Sequence, residues 1–206
     1  MYFGHHIPEK SEENYSFSLP GLEFSLAKLT YLFRKWEFGP GGSKFDGIIL
    51  STCKNGTPFT IHRISPFARY VLASPGNLHL SYFDLSAFMN IDEMKRKKVR
   101  NFMNNVAQKS FRKLSKKKTM VTVSLYRTNS TKKFVEEVEE GYYHILQQTF
   151  DIIPRYRDCL DFEAFRERSD IGKGVTSYYK PPKFGKLKKK QKHSGWSFIV
   201  SDLEVL

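Results

Sequence analysis

Apolar residues recur at helical spacing between Leu26 and Trp36. Leu26, Leu29, Phe33 and Trp36 form one stripe, while Lys28, Arg34 and Lys35 face away from it. Ser25 stands just before the stripe, as a residue whose hydroxyl can accept from an amide of the first turn. "FGPGGSKF" (38–45) breaks this helix. "FDGIILSTC" (45–53) then predicts a strand, Asn55-Gly56 a turn, and "PFTIHRI" (58–64) the returning strand of a hairpin. "SPFARYVLAS" (65–74) reads as a short helix capped by Ser65, with Pro66 in its first position and Pro75-Gly76 after it. Period-two alternation in "YSFSL" (15–19) and "NLHLSYFDL" (77–85) predicts two further strands.

From Asp92 the period returns to helical, with Val99, Phe102, Met103, Val106 and Leu114 on one face. "TMVTVSLYR" (119–127) is the clearest strand pattern in the chain, β-branched and alternating. Asn129-Ser130-Thr131 can cap another helix, with Phe134, Val138, Tyr142 and Ile145 on one face and Glu136, Glu137, Glu139 and Glu140 on the other. Residues 159–168 suggest one more helix, and "WSFIVSDLEVL" (196–206) a closing strand. Together these elements predict the α+β class: an antiparallel sheet with amphipathic helices packed on it, in a single domain. Residues 1–14 read as a flexible tail, 15–206 as the domain, and 172–195 as a Lys-rich loop. Trp36 and Trp196, each on an apolar element, are expected to be buried.

Composition agrees with a packed domain. The 206 residues are 40% hydrophobic and 15% aromatic, with 18 Phe and 11 Tyr to fill a core. No apolar run is long enough to span a bilayer, and the first residues have neither a basic nor an apolar leader segment. Cys53 and Cys159 sit in no paired motif, which suggests buried or unpaired thiols in a reducing compartment.

Candidate chemistry is sparse at this level. "GPGGSK" (39–44) lacks phosphate-loop spacing and follows a helix instead of opening one, so it reads as a turn. His5 and His6 fall in the tail, and His62 and His79 on elements with no metal-ligand spacing around them. Asp161, Glu163 and Glu167 alternate with Arg166 and Arg168 as helical ion pairs would. Nothing here points to an enzyme, a cofactor or a metal.

Charge changes the picture more. The chain carries a formal charge of +13, and Met94–Met120 alone holds eleven Lys or Arg and no acid. These are Lys95, Arg96, Lys97, Lys98, Arg100, Lys109, Arg112, Lys113, Lys116, Lys117 and Lys118. A second segment, Lys173–Lys192, has eight lysines, among them Lys183, Lys186, Lys188, Lys189, Lys190 and Lys192, with interleaved Tyr and Phe. A solvated face mixes signs, and these segments do not. They suit an anionic membrane or a phosphate backbone, bound without sequence preference. "KLKKKQK" also fits a nuclear-import patch.

Several short stretches resemble a rhabdovirus matrix protein, in order. They are "YFG" (2–4), the helix ending at Trp36, "FDGIIL" and "NGTP", "KKTMVTVSLY" (117–126), and "FEAFRERSDIGKG" (162–174) followed by a Lys run and "SGWSFIVSDL" (194–203). No P-P-x-Y or P-[ST]-A-P late-budding motif is present. The resemblance implies a non-enzymatic virion protein, membrane-associated in the host cytoplasm. Such a protein binds the inner leaflet and the nucleocapsid and self-associates. The rival reading is a winged-helix nucleic-acid-binding protein, such as a replication initiator, with 65–74 as a helix, 77–91 as a strand plus helix, 92–116 as the recognition helix and 119–127 opening the wing.

Overall fold

Six of the seven residues of Val121–Arg127 are buried, Thr122 and Ser124 among them. A strand hidden on both faces must lie between two layers, and this one does. In a computed structural model of the chain it is β4 of a mixed sheet. The structure describes residues 2–3, 7, 25–53, 55–56, 58–76, 78, 83–93, 99–117, 121–131, 159–161, 174–180 and 197–199. In chain order the elements are β1 (Tyr2–Phe3), α1 (Leu26–Lys35), β2 (Ile48–Ser51), α2 (Pro58–Ile64), β3 (Tyr70–Ala73), a 3-10 helix (Ser86–Glu93) and α3 (Val99–Lys117). After β4 come β5 (Cys159–Asp161), β6 (Val175–Lys180) and β7 (Ser197–Ile199).

The main sheet runs β1-β2-β3-β4-β6, and β5 pairs with β7 separately. β1, β2 and β3 are parallel, and β4 is antiparallel to both β3 and β6. Successive residues of the central strands feed opposite layers, as pleating requires. Ile48, Leu50, Val71, Ala73 and Tyr126 pack with Leu26 and Phe33 of α1 and Ile61 and Ile64 of α2. Ile49, Leu72, Val121, Val123 and Leu125 pack with Val99, Met103, Val106, Ala107 and Leu114 of α3. The α+β class expected from the element pattern is therefore present, with helices on both faces of the sheet.

Several local expectations are corrected. Pro58–Ile64 is a helix, because Ile61 and Ile64 are one helical face apart and both fully buried. Ser65 closes that helix instead of opening the next: its amide donates to Ile61 O at 2.8 Å and its hydroxyl to His62 O at 2.9 Å. The following Tyr70–Ala73 is a strand whose Val71, Leu72 and Ala73 are all buried, so no alternation was there to see. Cys159–Asp161 pairs antiparallel with Ser197–Ile199 in place of the expected helix. Val175–Lys180, inside the expected loop, is a strand paired with β4 and hydrogen-bonded to α3: Tyr178 Oη donates to Asn104 Oδ1 at 2.7 Å. The basic helix begins at Val99, and a 3-10 helix precedes it from Ser86.

Ser25 caps α1 as expected, accepting from Lys28 N at 3.1 Å. Trp36, however, is 59% exposed, because it lies at the C-cap where the chain turns away from the core. The strand at 15–19, the helix face at 134–145 and Trp196 lie outside the described residues.

Two outcomes follow. Leu114→Ala empties a site that is 1% exposed and should cost about 2–5 kcal/mol in urea unfolding, whereas Trp36→Ala should stay within about 0.5 kcal/mol. Asp84, which accepts from Ser86 N at 2.9 Å, is held below its ordinary value of 3.8 by hydrogen bonds from Ser86 and by Lys113 and Lys109. A depressed carboxyl pKa stabilises the fold above the unfolded value and stops doing so as pH falls through the folded one. Asp84→Asn should accordingly flatten the acid limb of the stability–pH curve below about pH 4.

Candidate active site at the parallel strand ends

Because β1, β2 and β3 are parallel, their C-terminal ends emerge on one edge of the sheet. Such an edge, not covered by the packing of the helices on the two faces, is where open sheets carry ligands. β2 runs directly into Thr52 and Cys53. β1 runs into Gly4-His5-His6 and then Ile7, and β3 into Ser74-Pro75-Gly76.

The loop after β2 is fixed by a buried side chain. Asn55 is 0% exposed. Its Oδ1 accepts from Ile7 N at 2.8 Å and from Thr52 Oγ1 at 2.7 Å, and its Nδ2 donates to Ile7 O at 3.0 Å. One amide group thereby ties the chain after β1 to the chain after β2. Phe3 pairs with Ser51 ahead of Cys53, and Ile7 is bonded to Asn55 beyond it. Gly56 donates to Ser74 O at 2.8 Å, which joins the third strand end to the same loop. A Cβ on Gly56 would stand 2.5 Å from Pro75 N, so this approach needs glycine. Tyr126 Oη donates to Gly56 O at 2.6 Å, and burial pushes its phenol well above the usual range, keeping it a donor.

Cys53 is a half-buried thiol, not a disulfide. Its Sγ accepts from Leu78 N at 3.2 Å, which orients the sulfur. Among the described residues no three His, Cys, Asp or Glu side chains gather as a metal site would need.

The sequence-predicted basic residues are elsewhere. Arg100, Lys109, Arg112, Lys113, Lys116 and Lys117 are all exposed on α3, which packs on a sheet face. Lys95, Arg96, Lys97, Lys98, Lys118, Lys183, Lys186, Lys188, Lys189, Lys190 and Lys192 lie outside the described residues. Sequence reasoning passed over the Cys53 loop and read His5 and His6 as tail residues. A signal was available: "MYF" before G-H-H and "GIIL" before S-T-C are both apolar runs that end on chemistry-bearing residues.

No family model and no curated protein matches the chain. Solved structures do. An inactive zymogen of a C11 protease from Parabacteroides distasonis superposes with a TM-score of 0.60 at 15% identity, over 98% of this chain and 65% of the zymogen. The chain shares that fold. It spans about two thirds of the zymogen's length. A secreted C11 cysteine protease from Bacteroides thetaiotaomicron, in complex with an irreversible peptide inhibitor, matches more loosely, with a TM-score of 0.47 at 12% identity over 61% of this chain and 38% of that one.

This overturns the rhabdovirus matrix resemblance, whose short stretches were matched by residue type without regard to the sheet they build. The non-enzymatic virion role and the placement in virion and host cytoplasm fall with it, as the structure whose fold the chain shares is that of a bacterial protease zymogen. The reading that nothing points to an enzyme is corrected for the same reason. The winged-helix alternative fails on topology, since residues 70–73, expected to be helical, are a central strand.

Replacing Asn55 with Ala strands the Ile7 amide and carbonyl. It should cost roughly 2–4 kcal/mol and speed hydrogen exchange at Ile7 N, whereas Thr52→Val, which removes one donor, should cost about 1 kcal/mol.

Proposed function

We propose that the chain is a cysteine peptidase, or the greater part of one, with Cys53 as nucleophile and His5 or His6 as its base. The observation that carries this reading is the placement of Cys53 at a parallel strand end, where Asn55 ties it to the residue that follows His5-His6. In the sequence His6 directly precedes Ile7, and His5 precedes His6. The shared fold with a C11 protease zymogen supports the peptidase reading, and the residue assignment rests on the strand-end geometry.

The chemistry these residues can perform is acyl transfer through sulfur. The histidine takes the thiol proton, and Sγ attacks the carbonyl carbon of the scissile peptide. The tetrahedral adduct collapses with cleavage of the C–N bond, and the imidazolium returns its proton to the leaving amine. Water, deprotonated by the same imidazole, then attacks the thioester. The products are a carboxylic acid and the restored thiol.

Hydrolysis of a fluorogenic casein and the rate of Cys53 alkylation by iodoacetamide test this together. Cys53→Ala should lower kcat/KM by about a thousandfold or more while leaving the fold intact by circular dichroism. One of His5→Ala and His6→Ala should do the same and slow Cys53 alkylation, which also names the base. Alkylation of the wild type at the rate of cysteine in solution, with no casein cleavage, would sink the reading.

A further inference from the structure

The exposed face of α3 has no role in the proposed chemistry. At 100° per residue, Asn101, Asn105, Lys109, Arg112 and Lys116 fall within about 80° of one another, nearly opposite the buried Val99, Met103, Val106 and Leu114. All five are exposed. The stripe runs for about 22 Å along the helix at 1.5 Å per residue. Lys113 lies about 40° past its edge, Lys117 is exposed at the C-terminus of the helix, and no acid occurs anywhere in α3. Asp84, beside Lys113 and Lys109, is an acid that feels these charges.

The fold adds a second source of charge. β6 is an edge strand whose Lys180 pairs with Val121 at the start of β4, four residues after α3 ends. Lys180 Nζ donates to Ser115 O, next to Lys116 and Lys117. Lys180 thus brings one further cation to the C-terminal turn of α3.

We propose that the outer face of α3, from Asn101 to Lys117, is a binding surface for the phosphodiester backbone of nucleic acid, recognised without base preference. Charge complementarity selects a polyanion, and the composition of the face selects this one. Amides and cations are the side chains that hydrogen-bond phosphate oxygens. A helix that lies in a membrane interface needs an apolar face to bury there. That face of α3 is already spent on the sheet. Among the described residues the exposed large apolar side chains are Tyr31 of α1, Trp36 at its C-cap and Met89 of the 3-10 helix.

The test uses the full chain carrying Cys53→Ala, so that any peptidase activity plays no part and its absence is irrelevant. Fluorescence anisotropy is followed with a 30-base-pair random-sequence duplex and the matching single strand, from about 50 to 200 mM salt. Phosphatidylserine vesicles serve as the other anionic surface. The expected result is binding to nucleic acid with a steep salt dependence. The triple change Arg112→Glu, Lys116→Glu and Lys117→Glu should weaken it at least about tenfold and shallow the log–log slope by about 2.7, for three lost phosphate contacts. These side chains are exposed, so the fold should survive, and Arg112→Gln with Lys116→Gln should give a smaller loss in the same direction. Affinity unchanged by the charge reversals overturns the proposal, as does absence of binding at the lowest salt. Tighter binding to the vesicles than to either nucleic acid overturns it too, in favour of a lipid surface.

Discussion

Water is excluded from both faces of β3 and β4, and most other positions in the molecule follow from that exclusion. Val71, Leu72, Ala73 and Val123 have no exposed surface at all. A strand closed on two sides needs a layer on each, so α1 and α2 cover one face and α3 the other. The burial also fixes register. A one-residue slip of β4 would turn Tyr126 away from Gly56 O and move Val123 and Leu125 to the α1 side. With both faces occupied, backbone at the strand ends is what remains for chemistry.

The strand ends are held by few groups, and those groups are buried. Asn55 makes three hydrogen bonds with an amide that water does not reach. In such surroundings a satisfied polar group specifies one arrangement, because each alternative leaves a donor or acceptor unpaired at about 1–3 kcal/mol. Gly56 acts in the same sense through space rather than polarity, by letting two backbones approach more closely than a Cβ allows. The Cys53 thiol, two residues from such an anchor, is positioned by the fold's own hydrogen bonds.

The sequence made the local elements legible where their signal was local. Ser25 and its stripe, the "GIIL" strand and the long β4 strand were all readable from period and propensity. What failed was whatever depended on partners distant in the chain. Tyr70–Ala73 is buried on both faces, so it has no period to distinguish it from a buried helix. Val175–Lys180 is a strand because β4 offers an open edge and α3 offers Asn104 and Gln108 to Tyr178, and neither fact is written between Gly174 and Pro181. The candidate site was missed for the same reason. β1 is two residues long, too short to register as a strand, yet its pairing with β2, and the bonds of Ile7 to Asn55, bring the chain after β1 to Cys53's loop.

The basic run that dominates the sequence takes its direction from the same packing. A helix with cations on several sides could present any of them, so something must set the rotation of α3. Ser110, fully buried, accepts from Asp84 N at 2.8 Å, and Gln108 Nε2 donates to Tyr178 Oη at 3.1 Å while Tyr178 donates to Asn104. These bonds fix α3 against the loop on one flank and against β6 on the other. A turn of one residue, about 100°, would break all three and bring Lys109 and Lys116 toward the sheet. Desolvating a lysine without a partner costs several kcal/mol, far more than the hydrogen bonds alone. The outward setting of Arg112 and Lys116 is therefore enforced twice, by the polar contacts that hold α3 and by the cost of burying the lysines of that face.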